Sequence, residues 1–390
     1  MSVRAAVLVG LVSLAAAMGI GRFAFTPILP LMQEKLGVTL AEGAWLATAN
    51  YIGYLVGACA SFAMAPKAGV SAKWGLVAVA LSTLAMGITS NPLIWFVFRL
   101  VAGVASAFVL IGASAWALAH VAFHRRSDLA GWVFAGVGIG ISLAGVVALV
   151  SGRLRGTPAQ SWAALGIIAL MIAVLSWGRL STATSASKAQ EGNVVTRLDR
   201  SAWLLVACYG SFGFGYIIPA TFLPAAARSL VSDPMVFGWV WPVFGLAAAV
   251  STVGVTTIFR ATAPRRVAAV SLLVMAVGVA MPTFDKTLGA VLMSAVCVGG
   301  TFMVTTMAAV QEARRISTNP DRLIAALTAA FALGQLAGPL VVSLSLSSGL
   351  GFMLPGVAAA ALLVSSAVAL LRSGDETISR RQPLPIERTR

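Results

Sequence analysis

Apolar residues in this chain gather into twelve runs of about twenty, with polar residues confined to the gaps between them. The runs fall near 5–32, 43–65, 74–90, 92–119, 129–150, 161–178, 202–226, 236–259, 267–283, 287–310, 323–346 and 350–371. At 1.5 Å per helical residue, a run of that length crosses a hydrocarbon core of roughly 30 Å. In lipid each backbone polar group needs an internal partner, so the pattern predicts twelve transmembrane helices. Loop chemistry marks several gaps: Ser90-Asn91-Pro92, Ser232-Asp233-Pro234, Asn319-Pro320-Asp321 and Ser347-Ser348-Gly349. Almost nothing separates the third and fourth runs, which requires a tight hairpin at Asn91-Pro92. The first run contains Ala15-Ala16-Ala17, which looks like a signal-peptide cleavage site. It is too long for a signal peptide, holds Arg22, and is followed by further spans, so it reads as a retained helix.

Composition narrows the class. Of 390 residues, 59% are hydrophobic and 10% charged, against about 25% charged in soluble domains. Soluble enzyme, nucleic-acid binder, disordered chain and secreted module are excluded. The net charge of +15 does not revive a nucleic-acid reading, because the bases sit between the apolar runs. With the N-terminus placed inside, 20 of the 27 Lys and Arg fall on that side, five on the other and two within spans. That bias predicts cytoplasmic N- and C-termini. Cys59, Cys208 and Cys297 lie inside runs without a C-x-x-C pair, so neither a disulfide framework nor a metal site is expected. The polar stretch 181–200 reads as a flexible cytoplasmic linker. It divides the chain into six spans at 1–180 and six at 201–372, with a basic, disordered tail expected at 373–390.

A repeat at an offset of 194 supports the division. Gly19, Gly21, Leu29, Pro30 and Trp45 recur as Gly213, Gly215, Leu223, Pro224 and Trp239. Six is even, so the halves share an orientation and form a parallel repeat about the membrane normal, as in major facilitator transporters. The chain resembles that superfamily over nearly its whole length. GIGRFAFTPILPLM at 19–32 is similar to the first-helix signature of the YbfB/YjiJ family of bacterial transporters, and GQLAGP at 334–339 to its helix eleven. Arg99-Leu-Val-Ala-Gly103 resembles the superfamily's R-x-x-x-G motif, whose Arg is tied to substrate or proton coupling. The resemblance implies an all-α membrane protein of two six-helix bundles. It also implies alternating access in a bacterial cytoplasmic membrane, a monomer, and no cofactor. Two departures matter. The loop Pro66–Lys73 has the superfamily's bases but no acid to latch a gate, and Gly140-Ile-Ser-Leu-Ala-Gly145 lacks the Pro of the antiporter motif.

Charge inside the membrane is the most informative chemistry. A charged side chain at mid-bilayer costs about 2.5–3.5 kcal/mol even on lenient scales, so it faces the interior and needs a partner. Arg22 lies about ten residues from the outer end of helix one and Arg99 about seven from that of helix four, which places them at similar depth. None of the twelve acids lies deep in a span; only Glu34, Glu42 and Glu312 approach an end. Two embedded guanidinium groups without a carboxylate suggest a basic pocket for a carboxylate or phosphate. The competing reading has each Arg bonding backbone carbonyls near the glycines. Asn50 and Tyr51 on helix two, with Tyr54, join the candidate pocket. So do Phe25 on helix one, Tyr209 and Tyr216 on helix seven, Thr306 (beside Thr305) on helix ten and Gln335 on helix eleven. Tyr216 occupies the repeat position of Arg22. Gly136 and Gly140, with Gly138 and Ser142, on helix five, and Gly334, Gly338 and Pro339 on helix eleven, are expected to let helices approach closely, helices five and eleven lying at the seam between halves where gating occurs. Trp239 and Trp241 read as interfacial belt residues.

These residues predict a secondary active or facilitative carrier of a small organic, carboxylate-type anion, with a proton as the candidate coupling ion. Its other contacts are membrane lipid, and no nucleic acid. The alternative is a proton-coupled exporter of hydrophobic or drug-like compounds, which Phe23, Phe25, Trp116, Phe212 and Phe214 keep open. His120 and His124 sit at the cytoplasmic end of helix four and read as interfacial. An intramembrane enzyme has no His, Asp or Glu in mid-span to run on, and a channel would lack saturable counterflow.

Overall fold

The structure is a computed structural model that describes residues 1–64, 66–180, 199–231, 238–317, 320–348 and 353–379. Among these residues there is no strand. Twelve helices follow in order: α1 Val3–Leu36, α2 Leu40–Met64, α3 Ala68–Ala85, α4 Pro92–Phe123, α5 Ala130–Arg153 and α6 Pro158–Trp177. The second half holds α7 Arg200–Leu230, α8 Val240–Ile258, α9 Pro264–Phe284, α10 Leu288–Ile316, α11 Pro320–Ser347 and α12 Met353–Ser379. All except α2 contain a described stretch long and apolar enough to cross a membrane. In α2, Asn50, Tyr51 and Tyr54 are buried and face the centre of the molecule.

Local chemistry sets the helix ends. Asn91 caps α4 by accepting from Leu93 N at 2.9 Å, with Pro92 at the first helical position. Thr157 and Gln160 form a capping box on α6. Asp199 opens α7 by accepting from Ala202 N at 2.7 Å. Several helices outrun their hydrophobic runs: α4 continues to Phe123, α10 to Ile316, and α12 to Ser379, inside the tail expected to be disordered. Hydropathy marks only the lipid-immersed part, whereas backbone hydrogen bonding carries a helix onward into water. The hairpin before α4 is roomier than expected because α3 ends at Ala85; Trp95 Nε1 donates to Met86 O at 3.0 Å and ties the turn down. Most of the expected linker, 181–198, and residues 380–390 of the tail lie outside the described residues.

Helices α1–α6 pack on one another, as do α7–α12, giving two six-helix bundles. Among the described residues their broadest contacts are α5 on α8, α2 on α11, and the second half of α1 on α7. Glycines on opposite faces of α5 serve different neighbours. Gly138 and Gly145 face α8, where a Cβ would strike the backbone of Gly245 and Ala249 or the ring of Pro242. Ser142 Oγ donates to Pro242 O at 2.9 Å on the same seam. Gly136 and Gly140 instead press on the α1 backbone at Leu11 and Ala15. Gly334 and Gly338 likewise meet α7, at Gly210 and Ile217, within their own bundle. All four glycines thus pack closely, but against helices of their own bundle; on α5 it is Gly138 and Ser142, of the same small-residue set, that meet the seam. A helix presents several small-residue faces, and only the tertiary fold decides which one meets the other bundle.

Candidate functional site

The middle of α1 is not α-helical. Ala15–Arg22 is wound as a π-helix, and Phe23 N donates to Met18 O, five residues back, at 3.1 Å. Such segments are rare and concentrate at functional sites. Crowding by neighbours accounts for the small residues here. A Cβ on Gly19 would enter the backbone of Gly140, and one on Gly21 would meet Ser106 Oγ and Val79 at 2.9 Å. Within the segment, Ser106 Oγ donates to Ala17 O at 2.7 Å. Above it the ladder skips: Thr26 N bonds Phe23 O at 3.3 Å instead of Arg22 O.

Arg99 takes the carbonyls thus released. Its Nη1 donates to Gly21 O at 3.1 Å, its Nη2 to Arg22 O at 3.1 Å, and its Nε to Leu46 O at 3.5 Å. Asn50 Nδ2 reinforces the same point, donating to Gly21 O at 3.4 Å and Arg99 O at 3.0 Å. The Arg99 guanidinium lies 4.8 Å from the Phe25 ring centroid. Asn50, Arg99 and Phe25 are thus engaged with α1 and one another in this conformation.

Arg22 points the other way, into the second bundle. Its Nη2 donates to Gln335 Oε1 on α11 and approaches the Tyr216 hydroxyl on α7 at 3.5 Å; Gln335 Nε2 donates to that same hydroxyl. Arg22 and Tyr216, related by the 194-residue repeat, meet directly. The guanidinium lies over the Tyr54 ring at 4.0 Å, with Tyr51 at 5.8 Å. Arg22, Arg99, Tyr216 and Gln335 are each at most 2% exposed.

Around this polar knot the second bundle supplies rings. Tyr216 is stacked with Phe302 at 5.8 Å and Phe331 at 5.4 Å. Tyr209 packs on Phe331 at 5.3 Å and donates its hydroxyl to Thr306 at 3.2 Å. Trp239 is exposed as a belt residue would be, but Trp241 is buried and stacked on Phe244 at 5.0 Å, a correction to its expected interfacial place. Tyr51 shares a 3.1 Å hydroxyl contact with Thr221, another hydrogen bond between the bundles. Tyr51→Phe should lower stability by only about 0.6 kcal/mol, the average for a membrane interhelical hydrogen bond; a thermal melt checks this.

Among the described residues no carboxylate serves the two arginines. The ion pairs among the described residues are Lys35–Glu34 at 3.3 Å, Arg228–Glu34 at 3.8 Å, Arg126–Asp128 at 2.8 Å and Arg315–Glu312 at 2.8 Å. Glu312, expected merely near a span end, is buried and held by Arg315 through two 2.8 Å bonds. In the loop before α5, hydrogen bonds from Arg126 hold the Asp128 carboxyl below the usual carboxylate range. Arg22 Nε is buried without a hydrogen-bond partner. Among the described residues no cluster of His, Cys, Asp or Glu could hold a metal ion.

The two ends of the molecule differ. Phe25–Leu36, the second half of α1, packs on α7, and Arg228 there donates to Pro30 O at 2.7 Å while pairing with Glu34. Val3–Leu14, the first half, packs on α4, α5 and α6 of its own bundle. A cavity of about 90 Å³ opens beside the closed end, lined by Pro27, Pro30, Glu34, Arg155, Arg228 and Trp241 among others; Arg22 is not among its walls. At this end the two bundles are bridged directly by the contacts of Arg228 with Pro30 O and Glu34.

The sequence model of the family described as "Uncharacterised MFS-type transporter YbfB" matches residues 14–371. Comparison with curated proteins gives no match. Among solved structures the chain is similar to the nucleoside transporter NupG, with a TM-score of 0.70 and 14% identity, over 94% of this chain and 99% of that one. That likeness is one of fold. With twelve helices in two bundles and a family match over nearly the full length, the chain is a multi-pass membrane transporter, not an enzyme, and belongs to the YbfB-type family of the major facilitator superfamily.

Proposed function

We propose that the protein carries a small organic anion, of carboxylate type, by rocker-switch alternating access. We place it as a monomer in a bacterial cytoplasmic membrane with both termini cytoplasmic. The observation that carries this reading is Arg22: a buried cation at the bundle interface, bonded only to neutral groups, with one N–H unpartnered. A charge so placed needs an anion, and a carboxylate accepting from a guanidinium makes hydrogen bonds about twice as strong as neutral ones. In the mechanism we propose, the solute's carboxylate displaces Gln335 and Tyr216 from Arg22, then bridges Arg22 to those same groups. Solute binding thereby couples the first bundle to the second.

The exporter alternative is weaker, because no acid among the described residues touches Arg22 or Tyr216 to take up a proton. A proton that accompanies the anion remains compatible with the site. The likeness to NupG, a nucleoside transporter, suggests a nucleoside as a second reading, favoured by the stacked Tyr216, Phe302 and Phe331 rings. A nucleoside is uncharged and would leave Arg22 without a counter-ion.

Counterflow in proteoliposomes tests the proposal. Vesicles loaded with unlabelled lactate or benzoate should accumulate the labelled acid transiently. Counterflow of uridine but of no acid would overturn the anionic reading. A second expectation concerns the closed end. Glu34→Gln removes the ionic part of the cross-bundle contact with Arg228, which lies at the partly exposed rim. It should raise the labelling rate of a cysteine placed at Leu31 severalfold while changing the melting temperature little, since exposed pairs contribute about 0–1 kcal/mol.

A further inference from the structure

Arg99 sits in the motif through which the superfamily resemblance implied substrate or proton coupling, yet three of its nitrogens donate to backbone carbonyls. Two of those carbonyls belong to Gly21 and to Arg22 itself. We infer that Arg99 is a positioning residue: it holds the π-wound turn of α1 open, and so aims the Arg22 side chain at α7 and α11. This rests on the reading of Arg22 as the group that meets the solute.

In an α-helix the carbonyls of residues 21 and 22 would accept from the amides of residues 25 and 26. Here Thr26 N has turned to Phe23 O, and a carbonyl left bare in an apolar interior costs about 1–3 kcal/mol. Arg99 and Asn50 fill that vacancy from α4 and α2. A guanidinium suits the task because its fork reaches two successive carbonyls at once. Without the fork, the cheapest repair is for the ladder to close to α-helical bonding. That absorbs about one residue per turn, so it swings the Arg22 side chain by roughly 100° around α1 and away from Gln335. Ser106 on Ala17 O and the Gly19–Gly140 contact hold the start of the segment in place, so the swing is confined to Gly21–Ala24.

The test is a coupling measured with and without Arg99, on the full-length protein in detergent and without any solute. Melting temperatures of wild type, Arg22→Ala, Gln335→Ala and the double variant give the interaction between residues 22 and 335 as a departure from additivity. With Arg99 present, the two single shifts should fail to add. In an Arg99→Ala background they should become additive, the coupling being lost. In Arg99→Lys, which offers one carbonyl a donor at a time, part of it should return. Should Arg99→Ala fail to fold, the Lys background alone decides, with a reduced coupling expected. A role limited to stability would lower all four melting temperatures together and leave the coupling unchanged. That result, or the lack of any coupling with Arg99 present, overturns the inference. Because no solute is added, the outcome is independent of whether the transported molecule is an anion.

Discussion

Replacing Arg22 by alanine should abolish stabilisation of the protein by anionic ligands while leaving the ligand-free protein as stable as wild type, or more so. The two halves of this result have one cause. In the ligand-free state Arg22 is a buried charge with neutral partners only, and such a group is maintained at the expense of stability. Removing it costs the Gln335 and Tyr216 hydrogen bonds but also removes the desolvation penalty of the guanidinium. With ligand at 100 times its Kd, wild type gains about 2.7 kcal/mol, and the variant should gain none. Thermal melts with and without ligand read both quantities. A variant that melts far below wild type and still responds to anions would assign Arg22 a structural role.

The second large effect is expected at the α5–α8 seam. A Cβ on Gly138 would collide with Ala249 N and Gly245 O, both backbone atoms of α8 that no rotamer change can move. Gly138→Val adds branched bulk where the bundles are in backbone contact. It should lower stability by about 1–3 kcal/mol or more and abolish transport even in the protein that remains folded. Gly254, also on α8, is the control, since a Cβ there meets nothing within 4 Å. Gly254→Ala should be neutral or stabilising by up to about 1 kcal/mol, the helix-propensity gain. Equal losses in both variants would mean that the seam is not closely packed.

The helices were legible in the sequence because a bilayer leaves a chain few choices. Twelve apolar runs of spanning length became twelve helices, and the pairing of Arg22 with Tyr216 was foreshadowed by the repeat. Legibility failed wherever the outcome depended on a neighbour. An embedded Arg has the same sequence signature whether its donors meet carbonyls or open space, so Arg22 and Arg99 looked alike although they point to opposite sides of α1. The π-wound turn left only a faint trace, Gly19-Ile20-Gly21 before a charged residue within a span. Part of its cause is local, since Pro27 has no N–H to give Phe23 O; the rest is contact with Gly140 on α5 and Arg99 on α4, far away in sequence. Gly136 and Gly138 differ by two positions and hence by about 200° around α5. Which of them meets the other bundle follows from tertiary packing, not from small-residue spacing. Glu312 is buried near the end of its hydrophobic run because α10 continues past it to Ile316.

The most direct measurement is thermal stabilisation of the detergent-purified wild-type protein and Arg22→Ala across a panel of ligands. The panel contains mono- and dicarboxylates, phosphorylated compounds, nucleosides, neutral sugars and lipophilic cations. An anionic carrier anchored at Arg22 should be stabilised by one or more of the acids in wild type and by none in the variant, with nucleosides and cations silent in both. Stabilisation by nucleosides or lipophilic cations alone, or an acid response that survives in Arg22→Ala, would contradict it.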